Sequence, residues 1–459
     1  MGVTTPNHSA SQKGTFQMRS SRSLDTIAVM FDDDNLVANA GLILPATLAQ
    51  HLDLETLINA KVHLPERSAG FRPGRKALTL VHSMIAGGDS IDDTDMLRAG
   101  SCASVLGHVV MAPSTLGTFL RAHTFGNVRQ FDSVNTEALR RAWAAGAGPD
   151  PARPLVIDID STICQVYGHT KQGATFGYTK VRGYHPLLAF RADTGEVLAA
   201  RMRKGSANTA RGMKRFLQEL RGHLGRAGWT GQVVLRCDSG FWSKTVIGFC
   251  EKHSWEYSIT VRQIPSIRQR IDDIAPNGDS CRWLPMPDYP ATGHAEIGEC
   301  DYDNEPGTNR RLIVRRTMVL NNKQQALFPN WEHHAFVTNR TGPIRDEDHH
   351  HRAHAVCELA IRDLKANGLA HCPSGRFNAN AAWLSLAVLA HNLTRWTISI
   401  GTAHAGPITG DTIRRTLIAT PGRLAHSARR YTLHLPTRWP WAETFTTILE
   451  QLRNVNLAT

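Results

Sequence analysis

Three acidic residues, widely spaced along the chain, have the chemistry needed to cleave phosphodiester bonds. Asp160 and Asp238 each end a short apolar run, in LVIDID and VVLRCD, and Glu358 lies in a segment with helical spacing. Phosphodiester cleavage requires one oxygen to be deprotonated and another to be stabilised as it leaves, and two divalent cations held by carboxylates do both. We therefore predict that Asp160, Asp238 and Glu358 hold two Mg²⁺ ions, which prefer such oxygen ligands, with Mn²⁺ as a substitute.

Asp158 is an alternative first metal ligand. Side chains alternate along a strand, so Asp158 and Asp160 share one face of the predicted strand. A buried carboxylate without a partner is costly, so acids at the ends of apolar strands need an explanation. Metal binding is one, and capping of a loop or pairing with an arginine is the other. Metal binding is favoured because the strands that end in Asp160 and Asp238 are expected to be neighbours.

Basic residues accompany Glu358 on one predicted helix face. His351 and His354 precede it by seven and four residues, and Lys365 follows it by seven. Each step is close to a whole number of helical turns. A carboxylate flanked by basic groups suits a site that holds metal and grips phosphates, so we predict that His351, His354 and Lys365 contact DNA. Alternatively the histidines from His349 to His354 bind a transition metal, but no second cluster completes a tetrahedral site.

The elements that must position these residues follow the order three strands, helix, strand, helix, strand. This is the order of an RNase H-like fold, in which the first and fourth strands carry carboxylates and end close together. We predict an α/β protein with an RNase H-like catalytic domain over residues 149–400. A β-rich insertion occupies about 263–332, and two long helices follow at 346–367 and 378–400.

Other segments surround this predicted catalytic domain. Residues 1–25 are polar and are predicted to be a flexible tail. Residues 26–148 are predicted to form a mainly helical DNA-binding domain, either a plain bundle or a helix-turn-helix whose last helix is capped by Ser114. Residues 401–459 form a less regular C-terminal region, assigned to DNA contact or dimerisation.

Composition indicates the class of partner. The net charge is +12, from 52 Lys and Arg against 40 Asp and Glu, which favours nucleic acid over an acidic membrane surface. None of the eight cysteines forms a C-x-x-C pair, so neither a zinc ribbon nor a disulfide framework is indicated. The first 25 residues lack a signal-peptide core, and the uncharged stretches 35–52 and 99–120 are interrupted by polar residues and proline. We predict a cytoplasmic, nucleoid-associated protein without a membrane partner.

Several strings resemble bacterial insertion-sequence transposases of the DDE type. They span nearly all of the chain beyond residue 30 and include FDDDNLVANAGLILPATLAQHL, LVIDIDSTICQVYGHTKQGATFGYTKVRGYHPLLAF, VVLRCDSGFWS, ELAIRDLK and PGRLAHSARRYTLHLPTRWPW. Within this type the chain is most similar to the insertion sequence 1380 family. That family belongs to the class marked by Tyr-(2)-Arg-(3)-Glu-(6)-Lys.

The resemblance implies a role for each matching residue. Asp160, Asp238 and Glu358 match the three acids, and Lys365 matches the lysine that contacts phosphate near the transposon end. The tyrosine and arginine of the motif fall on His351 and His354, which lack the guanidinium fork and are largely neutral at pH 7. This departure implies a weaker grip on phosphate.

The resemblance also implies an assembly and a reaction. It implies a homodimer bound to paired terminal inverted repeats, with cut-and-paste movement into target DNA. In relatives a tryptophan of the insertion stacks on a flipped base. Trp283 and Trp331 are the candidates here, although each is better explained as core.

Two further functions stay open beside the transposase. An RNase H-like nuclease without strand transfer would not need the helical N-terminal region or the basic C-terminal region, which argues against it. A catalytically impaired DNA-binding relative is disfavoured by the three acids and favoured by the two histidine substitutions. The leading prediction is therefore metal-dependent cleavage at transposon ends, followed by attack of the freed 3′-OH on target DNA.

Overall fold

Residues 36–147 are mainly helical. After a short strand, β1 (Leu36–Val37), come seven α-helices: α1 (Ile43–His51), α2 (Leu54–Lys61), α3 (Arg67–Gly70), α4 (Pro73–Ile85), α5 (Cys102–Leu106), α6 (Pro113–Arg121) and α7 (Phe125–Ala142). Helix α6 begins at Pro113, so Ser114 lies inside the helix and does not cap it. Proline suits the first turn of a helix, where the backbone N–H would have no partner within the helix. Thr124 and Asn127 form a reciprocal capping box at the start of α7.

A mixed sheet follows. Its first members are β2 (Leu155–Ser161), β6 (Leu187–Arg191), β7 (Val197–Arg201), β8 (Val233–Cys237) and β9 (Glu256–Thr260). Strand β2 is antiparallel to β6 and parallel to β8, and β8 is parallel to β9. Helices α8 (Met213–Arg226) and α9 (Lys244–Lys252) make the connections that parallel strands require. A small separate sheet contains β3 (Cys164–Gln165), β4 (Thr175–Phe176) and β5 (Arg182–Tyr184).

Alternation of side chains explains the composition of β2. Leu155, Ile157 and Ile159 are buried on one face of the strand. Asp158 and Asp160 occupy the other face, with Asp160 next to the last residue of the strand. The apolar face fixes the register, so both acids are directed to the same side of the sheet.

The segment after β9 extends the same sheet. Helix α10 (Pro265–Asp273) precedes β10 (Leu284–Pro285), β11 (Ala295–Asp301), β12 (Arg311–Met318) and β13 (Trp331–Thr338). Strand β13 pairs antiparallel with β9, so the described sheet runs β10-β11-β12-β13-β9-β8-β2-β6-β7. The predicted β-rich insertion therefore lengthens the edge of the central sheet.

The predicted helix 346–367 is broken into pieces. Helix α11 (Ile344–Arg352) is followed by a 3₁₀ turn (Ala353–Val356), helix α12 (Cys357–Leu364) and a π-helical turn (Lys365–Leu369). The second predicted helix is continuous as α13 (Phe377–Gly401) and is buried along most of its length. It packs against α1, α4 and α7, so it joins the helical region to the sheet.

The C-terminal residues return to the start of the chain. After α14 (Gly410–Ile413) and a π-helical turn (Arg414–Ile418), β14 (Gly422–Ser427) and β15 (Arg430–His434) form a hairpin. Strand β1 pairs with β14, with Leu36 opposite Arg423. The last helix, α15 (Ala442–Arg453), packs on α1 and α13.

The computed structural model describes residues 24, 27–65, 67–177, 179–274, 283–289, 294–303, 308–318, 331–402 and 408–455. By internal contacts, Met1–Asp34 form one unit and Asn35–Thr459 a second, to which all the elements above belong. The predicted flexible tail falls almost wholly outside the described residues. Over those ranges no helix is both long and apolar enough to cross a lipid bilayer.

Candidate active site

Two of the predicted acids lie side by side at the carboxyl ends of two adjacent central strands. In the parallel pair of β2 and β8, Ile159 is opposite Cys237, so Asp160 and Asp238 come one residue later on adjacent strands. Asp238 is exposed, and its Oδ1 accepts a hydrogen bond from the Gly240 backbone N–H at 2.9 Å. Asp160 is half-buried, and its Oδ1 accepts from the Ser161 backbone N–H at 2.6 Å.

The two carboxylates affect each other electrostatically. Burial raises the pKa of Asp160 to about 6, and the negative charge of Asp238 contributes to the rise. Two acids that oppose each other's ionisation form a site that a bound cation would stabilise. Their donors are all carboxylate oxygens, which are the ligands preferred by Mg²⁺ and Mn²⁺. The Asp160 and Asp238 pair therefore fits a hard divalent cation.

Asp158 has a different environment on the same strand. Its side chain is 1% exposed, and its two oxygens accept hydrogen bonds from Arg236 Nε at 2.7 Å and Nη2 at 2.8 Å. His354 Nδ1 lies 2.8 Å from the same carboxylate. The charge of Asp158 is thus balanced within the protein by Arg236. Asp160, at the carboxyl end of the same strand, is the acid of β2 that is available to a ligand.

Glu358 lies close to this pair without joining it. It is exposed in the first turn of α12, and the Sγ atom of its neighbour Cys357 is 3.8 Å from Asp160 Oδ2. In the part of the chain that the structure describes, no group of three or more His, Cys, Asp or Glu side chains is arranged to hold a metal ion. The structure therefore brings Asp160 and Asp238 together and leaves Glu358 at the border of the site.

His351 is not where the helix-face prediction put it. The ring is 4% exposed, with Nδ1 2.7 Å from Ser258 Oγ and Nε2 3.0 Å from Thr260 Oγ1. It also stacks on Phe336 with 4.2 Å between ring centroids. Burial lowers its pKa well below the usual value, so the ring is neutral. The predicted DNA contact by His351 is corrected, because both nitrogens face the interior of the protein.

His354 and Lys365 also occupy different surroundings. His354 Nδ1 bonds to Asp158, and its Nε2 lies 4.0 Å from Cys357 Sγ, so this ring is part of the support beneath the acids. Lys365 is half-buried at the start of the π-helical turn. The predicted common face of His351, His354, Glu358 and Lys365 is absent because the 3₁₀ turn Ala353–Val356 changes the helical phase.

Arg236 and Cys357 are the site residues that sequence reasoning missed. Arg236 had a recognisable signal, because an arginine inside the apolar run VVLRCD needs a buried anionic partner and Asp158 lies in the adjacent apolar strand. Cys357 had no such signal, since its position beside Asp160 depends on the break in the helix.

The two tryptophans of the insertion enclose an arginine. The Arg316 guanidinium lies 4.1 Å from the ring centroid of Trp283 and 4.4 Å from that of Trp331. Arg316 Nε also donates to Glu296 Oε2 at 2.6 Å. Both rings are half-buried cation–π partners of Arg316, and Trp283 also packs against the main core, as the sequence favoured.

Comparisons with known proteins identify the family. The family described as Transposase DDE domain group 1 matches residues 20–457. Among solved structures, the chain is similar to the piggyBac transposase in a synaptic complex with hairpin DNA, with 12% sequence identity and a TM-score of 0.45. The similarity covers 83% of this chain and 79% of that chain. No curated protein matches. Because the family match covers almost the whole chain, this protein belongs to the DDE transposases.

Proposed function

We propose that this protein is a bacterial insertion-sequence transposase of the insertion sequence 1380 family, built on an RNase H-like core. It cleaves DNA at the transposon ends and joins the freed 3′-OH to target DNA. The observation that carries the proposal is the adjacency of Asp160 and Asp238 at the ends of two parallel strands. Carboxylates at such neighbouring strand ends supply the oxygen cluster that metal-dependent phosphodiester chemistry requires.

In this proposal Asp160 and Asp238 hold two Mg²⁺ ions, or Mn²⁺ in their place, and Glu358 completes the ligand set. When bound, such ions supply a deprotonated nucleophile and stabilise the leaving oxygen. Asp158, Arg236 and His354 keep β2 and the start of α12 in place from below.

Glu358 reaches the pair through a change within the first turn of α12. His354 stays bonded to Asp158, and the Glu358 side chain is exposed, so it can turn toward the pair with little loss of packed apolar surface. Cys357 already contacts Asp160, and the next residue in the chain is Glu358. The required displacement is therefore confined to the first turn of α12.

Contacts with DNA extend beyond the acids. Lys365 is proposed to bind a phosphate near the transposon end, whereas His351 and His354 act inside the protein. Residues 26–148 are proposed to bind the terminal inverted repeats as part of a homodimer. Residues 401–459, whose β14–β15 hairpin carries several arginines, are proposed to contact DNA or the second subunit. The protein would then act in the cytoplasm, at the nucleoid.

Cleavage of labelled DNA that carries the flanking inverted repeats tests the proposal. Wild-type protein is expected to nick the repeat end when Mg²⁺ or Mn²⁺ is added, and EDTA should abolish the nick. Glu358→Ala should bind the same DNA without cutting it. Asp346→Ala is the matched control, because Asp346 is also an exposed acid in the first turn of a helix, α11, and has no proposed contact with metal or DNA.

Two outcomes would contradict the proposal in whole or in part. If wild-type protein binds the repeat DNA but cuts it with neither metal, the protein is a DNA-binding relative without catalysis. Cleavage that persists in Glu358→Ala would remove Glu358 from the site while leaving Asp160 and Asp238 in it. Strand transfer is scored separately, by joining of the cut end to a plasmid target, because a nuclease would stop after cleavage.

A further inference from the structure

Two segments beside the acids carry positive charge and no negative charge. Residues 161–192 and 197–218 contain ten Lys and Arg residues and no Asp or Glu. Some of these cations are neutralised by acids from other segments, as Arg191 is by Asp193 and Arg215 by Glu219. Lys180, Lys204 and Arg211 are exposed. Such a surface attracts an anionic polymer.

The two segments are joined in space. The Gly205 backbone N–H donates to the Gly173 carbonyl at 3.1 Å, and the Ser206 N–H donates to Thr175 Oγ1 at 2.7 Å. A Cβ on Gly205 would lie 2.1 Å from the Gly183 carbonyl oxygen, so only glycine permits this approach. The segment that contains Lys204 is therefore held against the small β3-β5-β4 sheet.

This joined surface borders the two catalytic acids. His185 links it to the end of β2, because one ring nitrogen is 2.9 Å from Ser161 Oγ and the other 2.9 Å from the Ala207 carbonyl oxygen. On the other side, Thr209 packs against Gly240, whose N–H bonds to Asp238. The surface is thus adjacent to both strand ends that carry the acids.

A buried arginine makes the connecting turn rigid. The Arg203 side chain is 8% exposed, and its Nη1 donates to the carbonyl oxygens of Thr209 at 2.8 Å and Arg211 at 3.2 Å. Its Nε donates to the His185 carbonyl at 2.8 Å. Arg203 therefore fixes the backbone that presents Lys204 and Arg211 to solvent.

Two aromatic side chains project from the same small sheet. Tyr167 is 83% exposed and Phe176 is 66% exposed, although each lies within two residues of a strand pairing. Exposed aromatic rings among cations are the features with which proteins bind single-stranded nucleic acid, because every unpaired base has a face that can stack. In a duplex these faces are already stacked on neighbouring base pairs.

We propose that the acid-free surface of residues 161–192 and 197–218, which includes Tyr167, Phe176, Lys180, Lys204 and Arg211, binds single-stranded DNA next to the catalytic acids. Unpaired bases stack on Tyr167 and Phe176, and the three cations follow the phosphate backbone. The inference rests on the proposed function, since it takes DNA to be the substrate of the adjacent site. It adds that unpaired nucleotides are bound there in preference to duplex.

Fluorescence anisotropy with labelled oligothymidylate and a labelled blunt duplex tests this preference. The double variant Tyr167→Ala/Phe176→Ala is expected to bind oligothymidylate at least about tenfold more weakly, because each stacked base contributes roughly 1–3 kcal/mol. Its affinity for the duplex should change less than about twofold. Tyr167→Trp, which keeps a stacking ring, should retain the single-strand affinity.

Matched variants separate stacking from charge and from loss of exposed apolar surface. Ile264→Ala removes an apolar side chain that is 43% exposed and has no proposed role in DNA binding, and should leave oligothymidylate binding unchanged. Lys204→Ala should weaken binding of oligothymidylate. The slope of log affinity against log salt concentration should become shallower by about 0.7, the value for one lost phosphate contact on a single strand.

Three results would overturn the inference. Equal binding of oligothymidylate by wild type and the double variant would overturn it alone, and repeat cleavage would still test the transposase proposal. A dimer in light scattering that the double variant loses, with DNA binding intact, would assign the acid-free surface to a second copy of the chain. Absence of any DNA binding by wild type would overturn both proposals.

Discussion

Asp158 and Asp160 are two residues apart on the same face of β2, and their surroundings are opposite. Asp158 is enclosed, with Arg236 on both oxygens and His354 on one of them. Asp160 stands at the carboxyl end of the strand beside a second acid, Asp238, and burial raises its pKa to about 6. One carboxylate is stabilised by the fold, whereas the other is left for a ligand to stabilise.

The comparison shows how a strand can carry two acids with separate roles. Removing one partner of a buried ion pair is strongly destabilising, because the other charge is left buried without a counter-charge. Two neighbouring carboxylates without a cation repel each other, so removing one of them relieves the fold. Loss of Asp158 should therefore affect folding, and loss of Asp160 should affect chemistry.

The largest effect is expected for Asp160→Asn. Cleavage of repeat DNA should fall by more than about 100-fold, because changes merely next to metal ligands already cost 10–100-fold. The thermal midpoint should stay the same or rise, because repulsion from Asp238 is removed. Gel-resolved cleavage and calorimetry measure the two quantities. Normal cleavage by Asp160→Asn would show that the Asp160 carboxylate does not hold a metal ion.

Asp158→Ala is expected to lower the free energy of unfolding by about 3–5 kcal/mol, since it leaves the Arg236 guanidinium buried without an anion. Urea denaturation measures this loss. The double variant Asp158→Leu/Arg236→Met should recover most of it, because apolar side chains replace both charges. Unchanged stability in Asp158→Ala would show that Arg236 finds another partner.

Glu196 is a second enclosed carboxyl, and its positively charged partner is more distant than that of Asp158. Trp143 and Trp396 donate to it at 2.6 and 3.2 Å, and Arg191 lies 3.7 Å away. Burial raises its pKa from 4.5 to about 7. The folded state therefore binds this proton more tightly than the unfolded state does. The resulting contribution to the free energy of unfolding is fully present below about pH 4.5 and is lost as the pH rises through about 7.

Glu196→Gln, which keeps the hydrogen-bonding shape without the charge, should remove that pH dependence. Relative to wild type, the variant is expected to gain up to about 3 kcal/mol of unfolding free energy between pH 5 and pH 8. Urea denaturation at several pH values gives the difference. Parallel pH curves for the two proteins would mean that Glu196 is ionised throughout.

The smallest effect is expected at His351. Ser258→Ala removes one hydrogen-bond partner of the buried ring and should cost about 1 kcal/mol of unfolding free energy. DNA affinity should not change, because the ring faces the protein interior. A loss of DNA affinity without a loss of stability would restore His351 to the DNA-binding surface.

The strand-borne part of the site could be predicted from the sequence. Asp160 and Asp238 end apolar runs whose alternation and order specify neighbouring strands, so local pattern and topology agree. The mixed α/β sheet follows from the same runs. The role of Asp158 was open because its partner, Arg236, is 78 residues away in sequence.

The helix-borne part could not be predicted in the same way. The segment His349–Lys365 contains neither proline nor glycine, so its spacing indicates one continuous helix. The 3₁₀ turn at Ala353–Val356 arises where His351 packs beneath the sheet and His354 bonds to Asp158. Tertiary contacts therefore set the helical phase, and the predicted common face of the basic residues was lost.

The pairing of β1 with β14 determines when the molecule can be completed during synthesis. Leu36 precedes its partner Arg423 by 387 residues in the chain. At 5–20 residues per second, roughly 20 to 80 s separate the two on the ribosome. Helix α15, which packs on α1, is later still. A product terminated before these elements would leave the first helices without their partners, so only chains translated through α15 can close the fold.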